Sequence, residues 1–267
     1  MALAKTSDGK RFAFIDPDYR PPRRMVVSTY GMDKVGKTRL PLTAPGPIAI
    51  LNFDRGLEGV IERFAKQKAI AVSPTSNGKP HYYRVPVKGE ADAQEVARQT
   101  WHQFAGDFTF ACESPDFRTL LVDSASQAWQ VLSLGWPVWS PNKGDMARKA
   151  GENNARYSDL IYQIYNTDKN LILTHKMKDE YIDDKRTGGF EMMGYKDTRG
   201  LVQVNVKQYW LEKEEAEKRE VAPGFHLYVS NCRADHELIG LDLANEEITF
   251  ATLGMMVFPE SQLSDWE

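Results

Sequence analysis

Cysteine is nearly absent: Cys112 and Cys232 are the two in 267 residues, far apart and without a C-x-x-C spacing. That leaves nothing from which to build a disulfide framework or a zinc cluster, and it points to a reducing compartment. Long apolar runs are also missing, since none approaches the roughly 20 residues that span a bilayer. The N-terminus, MALAKTSDGKRF, lacks the apolar core of a signal peptide. A soluble, cytoplasmic protein with no membrane partner is therefore expected. An excess of one charge is lacking too: Lys and Arg number 34 against 37 Asp and Glu, a net of −3. No whole-protein positive field draws this chain to nucleic acid or anionic lipid, so any such binding must be local. The length suffices for one substantial core, either a single α/β domain or one with insertions.

What the chain does have is residues 31–38, GMDKVGKT, which fit the phosphate-binding pattern G-x-x-x-x-G-K-[ST] at every fixed position. The β-branched and apolar MVVSTY before it reads as a buried strand, and the chain after it can turn into a helix. The bland alternative is a surface turn that matches by chance; four fixed positions behind a strand favour the functional reading. Gly31 and Gly36 let the backbone curl so that the N–H groups of Met32, Asp33, Lys34 and Val35 can face phosphate oxygens, and a new helix adds its positive end. Lys37 is placed for the β- and γ-phosphates and Thr38 for a magnesium ion, which implies ATP and Mg2+ as cofactors. Pro41, Pro45 and Pro47 predict that the helix is only one or two turns long.

Residues 47–54 form an apolar run ending in Asn52-Phe53-Asp54, as in a parallel strand buried on both faces. Ligands of such sheets lie beyond the carboxyl ends of the strands, which makes Asp54 a candidate to orient an attacking water. Its rival role is as N-cap of a helix over 57–68. Residues 72–90 read as a surface excursion around a strand-like 82–87, and 91–104 as a helix burying Val96, Trp101 and Phe104. The run 117–124 ends in Asp123, where a nucleotide-binding sheet holds the carboxylate that supports magnesium; a turn role is the alternative. A third buried strand, 170–175, ends in His175, which is either a neutral γ-phosphate contact or a structural histidine.

Trp136 and Trp139, with Lys143, Arg148, Lys149 and Arg156, lie in what reads as a loop over 135–156 after a helix at 125–134, and helix resumes over 157–165. Aromatic residues beside basic ones can stack bases and track phosphates, although tryptophan is as often core. Residues 176–200 suit a mobile hairpin carrying Lys176, Lys178, Lys185 and Arg186 among balanced acidic residues. Residues 201–212 alternate as a strand, the following charged run reads as a solvated turn, and 225–229 as the returning strand. Beyond it Arg233 is a candidate γ-phosphate contact, from its own or an adjacent subunit. A last strand is expected over 247–250. The expected organisation is an N-terminal extension 1–24, a domain 25–258 and an acidic, mobile tail 259–267.

The order of phosphate loop, LNFDRGLE, LLVDSASQAW and LILTHKMK resembles the RecA-type recombinase core, in particular phage-encoded RecA-like ATPases associated with single-strand annealing, over about residues 25–233. The resemblance implies a RecA-like α/β fold, a mainly parallel twisted sheet with helices on both faces and a C-terminal β-hairpin extension. It also implies ATP hydrolysis stimulated by single-stranded DNA in phage recombination or replication, a host-cytoplasmic setting, a homo-oligomer with nucleotide at subunit interfaces, and a single-strand-binding protein as partner. By the same resemblance Asp54 activates water, where that family has Glu, and His175 couples the γ-phosphate to the loop behind it. Residues 135–156 and 176–200 then face DNA, and Arg233 reaches across an interface. Two other classes fit the phosphate loop: a nucleotide-gated protein-interaction module with little turnover, and a small-molecule kinase, which lacks the arginine-rich lid it needs.

Overall fold

A computed structural model describes residues 23–57, 59–65, 68–183 and 185–267; all but the last two residues of the expected N-terminal extension 1–24 lie outside the described residues. In chain order β1 (Val26–Gly31), α1 (Arg39–Leu42), β2 (Ile48–Asn52), α2 (Ile61–Phe64) and β3 (Ile70–Ser73) come first, then the two-residue strands β4 (Thr75–Ser76) and β5 (Lys79–Pro80). Next are α3 (Ala93–Glu113), β6 (Thr119–Asp123), α4 (Ala125–Gly135), α5 (Lys143–Ile164) and β7 (Asn170–His175). The chain continues through β8 (Met177–Ile182), β9 (Lys185–Met192), α6 (Thr198–Leu201), β10 (Val204–Leu211), α7 (Lys213–Arg219) and β11 (Gly224–Cys232). It closes with β12 (Asp242–Ala244) and α8 (Phe250–Val257).

The main sheet runs β12-β11-β10-β1-β7-β6-β2-β3. Every pairing from β10 to β3 is parallel, and β11 and β12 add an antiparallel edge. β1, β2, β6 and β7 are buried at every residue, because parallel strands covered on both faces must be apolar throughout. Alternation divides their side chains between two cores. Val26, Leu120, Val122, Leu171 and Leu173 meet α3, α4 and α5 on one face. Val27, Ile50, Leu121 and Ile172, with Val204, Val206, Leu227 and Val229 of β10 and β11, meet α1 and α8 on the other. This is the expected α/β architecture with its C-terminal hairpin.

Several local expectations are corrected. The stretch read as a loop over 135–156 is mostly helix: α5 starts at Lys143, where Asn142 Oδ1 accepts from the Gly144 N–H at 2.9 Å. Residues 82–87 form no strand, and of the helix expected over 57–68 the described residues hold only the end of a 3-10 turn and the four-residue α2. The charged run after β10 is a helix, α7, laced by Arg219–Glu215 and Lys213–Glu217 pairs. Residues 247–250 are not a strand, because Thr249 accepts from the Thr252 N–H and caps α8. The tail is not loose: Trp266 is fully buried against Phe258 and Phe250, and Asp265 pairs with Arg23.

Candidate nucleotide site

The phosphate loop is held where β1 ends. Gly31 pairs with Gln208 of β10, and a Cβ on Gly31 would stand 2.3 Å from the Gln208 carbonyl oxygen, so this strand contact admits only glycine. Lys34 and Gly36 have φ of 65° and 92°, and these left-handed turns curl the backbone around the loop centre. Val35 is buried and anchors the loop, while Met32, Asp33 and Lys34 face solvent. The Arg39 N–H then donates to the Gly36 carbonyl at 2.9 Å, and α1 lasts four residues, with Pro41 in its first turn.

Lys37 folds back so that its ammonium donates to the carbonyl of Gly31 at 3.0 Å and to that of Met32. Burial lowers its pKa, against the opposing field of Asp33, Asp123 and Asp54. Thr38 Oγ1 donates to Asp123 Oδ2 at 3.1 Å, and Thr174 Oγ1 donates to the other carboxylate oxygen. Burial raises the pKa of Asp123, with Asp54 adding to it. A hydroxyl and a carboxylate at this spacing form an oxygen-only donor pair, which fits a hard divalent cation such as magnesium. Asp54 follows β2, and its backbone N–H is fixed by Asn52 Oδ1 at 3.0 Å.

These groups line one cleft of about 850 Å³. Asp33, Lys34, Gly36, Lys37, Thr38, Asp54 and Asp123 all contribute to it, so the phosphate-loop and carboxylate expectations converge on one place. Arg39, Val60, Arg63, Phe64, Ser124 and Phe225 also line it and were not foreseen. Arg63 and Phe64 lie on the four-residue α2, too short to show a periodicity, and only packing brings them to the loop. Lys176, grouped with the DNA candidates by its place in a basic stretch, lines this cleft instead. A second cavity, of about 980 Å³, lies among Arg23, Cys112, Arg118 and Lys169, where β1, β6 and β7 begin, and holds none of these groups.

Two expected nucleotide contacts fall elsewhere. His175 is fully buried and outside the cleft lining. Its Nδ1 donates to the Met193 carbonyl at 3.2 Å, which leaves Nε2 as an unpartnered acceptor among the described residues. Burial lowers its pKa to about 4, so the ring is neutral. Arg233 is not a contact from its own chain: its N–H bonds the Gln203 carbonyl, level with the start of β1, and its guanidinium donates to the Gly200 carbonyl. That is about 16 Å below Gly31 at the strand rise.

Among the other DNA candidates, Trp136 packs on the core with its ring against Arg156 and Arg98 at 4.8 and 5.9 Å, whereas Trp139 is 76% exposed. Arg148 and Lys149 lie on α5 and pair with Asp145, and Arg148 also with Glu152. Lys178 pairs with Glu191 and Arg186 with Asp179 across the β8–β9 hairpin. Lys143 and Lys185 are exposed and make no ion pair among the described residues.

One family's sequence model, described as an AAA domain, matches residues 23–208, from just before β1 to Gln208 of β10. None of the curated proteins matches the chain. Among the described residues no helix is long and apolar enough to cross a membrane.

Proposed function

Because this chain belongs to the AAA domain family, whose members are P-loop ATPases, we propose that it hydrolyses ATP with magnesium and couples that cycle to single-stranded DNA in phage recombination or replication. The observation that carries the coupling is where the β8–β9 hairpin is rooted. Lys176 lines the nucleotide cleft, and β8 begins at the next residue. The Lys176 N–H donates to Ser126 Oγ at 2.9 Å, its carbonyl accepts from the Met193 N–H at 2.8 Å, and Ser126 Oγ donates to the Met193 carbonyl. Both ends of the hairpin are thus tied to the start of α4, two residues after Asp123.

The hairpin exposes Tyr181, Ile182 and Phe190 beside Lys178, Lys185 and Arg186. Aromatic faces stack bases without regard to sequence, and each stacked base contributes about 1–3 kcal/mol. Its ion pairs are solvent-exposed and hold little energy, so phosphates can displace the acidic partners. Trp139, between α4 and α5, and Lys143, at the start of α5, extend the same kind of surface.

In the cleft Lys37 would exchange the loop carbonyls for phosphate oxygens, and Thr38 and Asp123 would hold magnesium. Magnesium, when bound, would supply charge neutralisation for phosphoryl transfer. Asp54 orients water in line with the γ-phosphate, a task of positioning more than of proton transfer.

The test is magnesium-dependent ATP hydrolysis with and without a single-stranded oligonucleotide, at low and raised salt, beside Lys37→Ala and a Tyr181→Ala/Lys185→Ala variant. DNA stimulation that vanishes in both variants and fades with salt supports the reading. Tight ATP binding with no DNA response at either salt favours a nucleotide-gated module acting on a protein partner.

A further inference from the structure

We infer that Arg63 and Lys176 meet the terminal phosphate from within the same chain, so that one subunit completes its own hydrolytic site; this rests on the ATPase reading above. Among the described residues, cations outnumber carboxylates five to three around the cleft. Neither the Arg63 nor the Lys176 side chain has a hydrogen bond or an ion pair among the described residues. Arg148, Lys178 and Arg186, by contrast, each find an acidic partner. Unpaired cations gathered around one cleft lower the energy of an anion placed among them.

Their positions select the terminal phosphate over the rest of the nucleotide. Arg63 and Asp54, the candidate for orienting water, both line the cleft, and both belong to the segment that follows β2. Lys176 follows β7, which lies between the strand of the phosphate loop and that of Asp123. Its positive field is felt at Lys37, a like-charge approach that an anion shared by the two ammoniums would relieve. A planar guanidinium and a mobile ammonium sharing one phosphoryl group match the charge that spreads over its oxygens during transfer. Cations in that role raise turnover by about 10³–10⁵ where they have been removed and restored. Arg233, the residue expected to act across an interface, is engaged at the far end of the sheet.

The experiment compares ADP with a non-hydrolysable ATP analogue in the wild type, Arg63→Ala, Lys176→Ala and Lys176→Arg, and follows ATP turnover per subunit on dilution. Both side chains are solvent-accessible and bear no structural bonds, so the variants should fold; thermal melting checks this. The expected result is ADP affinity within about twofold of wild type in every variant, with the preference for the triphosphate down about tenfold or more in each alanine variant. Lys176→Arg should recover most of that preference, and wild-type turnover per subunit should hold across a roughly hundredfold dilution. An unchanged triphosphate preference in both alanine variants, or turnover that collapses on dilution, overturns the inference while leaving an ATPase. A wild type that binds neither nucleotide overturns the ATPase reading and this inference with it.

Discussion

Thr38 and Asp123 are joined by a 3.1 Å hydrogen bond from hydroxyl to carboxylate, linking the last residue of the phosphate loop to the end of β6. The carboxylate is deeply buried, accepts a second bond from Thr174, and lies in the field of Asp54, so its charged form is disfavoured. At neutral pH that is a cost the fold carries for function. Asp123→Asn should therefore raise the melting temperature at pH 7 while lowering magnesium-dependent hydrolysis by roughly 100-fold or more. Calorimetry beside a phosphate-release assay checks both halves. A variant that melts lower than wild type refutes the claim that this carboxylate is held at a cost.

The two loop glycines should fail in different ways. Alanine at Gly31 drives its Cβ to 2.3 Å from the Gln208 carbonyl and 2.7 Å from Val35 Cγ2, so strands β1 and β10 must separate. Alanine at Gly36 finds room, its nearest neighbour being Phe225 at 3.4 Å, but it must hold a φ of 92°. That conformation costs an L-residue about 1–2 kcal/mol. Gly31→Ala should lower the melting temperature markedly, and Gly36→Ala only slightly, with nucleotide affinity reduced in both. Equal melting temperatures for the two variants would contradict this account.

The readable parts of this chain were those with one dominant physical demand. Strands β1, β2, β6 and β7 are buried on both faces, so apolar runs ending in Asn52, Asp123 and His175 announced them. The phosphate loop was readable because few residues besides glycine take its turns. α5 was missed because no residue in its first ten is buried; its buried stripe begins only at Asn153. α7 buries Ala216 alone and is held by surface pairs, so it has no apolar period to read. Arg63 was invisible for a stronger reason: α2 buries none of its residues, and its place in the cleft follows from how the segment after Asp54 packs.

His175 should make stability fall in mild acid. Burial holds the ring neutral down to about pH 4, whereas in the unfolded chain it takes a proton near its ordinary value of 6.5. Between those values the unfolded state binds more protons, so stability declines as pH falls through that window. The full shift corresponds to about 3 kcal/mol. His175→Asn, which keeps a donor toward the Met193 carbonyl, should show a shallower loss of melting temperature from pH 6.5 to 4 than wild type. Identical slopes would mean that the histidine is not the group responsible.

The C-terminal tail offers the sharpest contrast between composition and packing. Glu260, Asp265 and Glu267 made it look solvated, yet the indole of Trp266 stacks on Phe258 at 5.5 Å and donates from Nε1 to Ser261 Oγ at 2.8 Å. Gly254 of α8 lies directly beneath, and a Cβ there would come within 2.5 Å of the indole. Removing a buried Trp side chain costs about 3–5 kcal/mol, and for a chain of this size each kcal/mol shifts melting by about 2–4 °C. Trp266→Ala should thus melt roughly 10 °C lower, and Gly254→Ala, which overpacks the same contact, should lose about 1–3 kcal/mol. The tail meets the sheet near Arg118 at the start of β6, away from the phosphate loop. Nucleotide affinity measured well below the melting temperature should therefore match wild type in both variants. A tail that merely trails in solvent would leave both melting temperatures unmoved, and that result would remove Trp266 from the core.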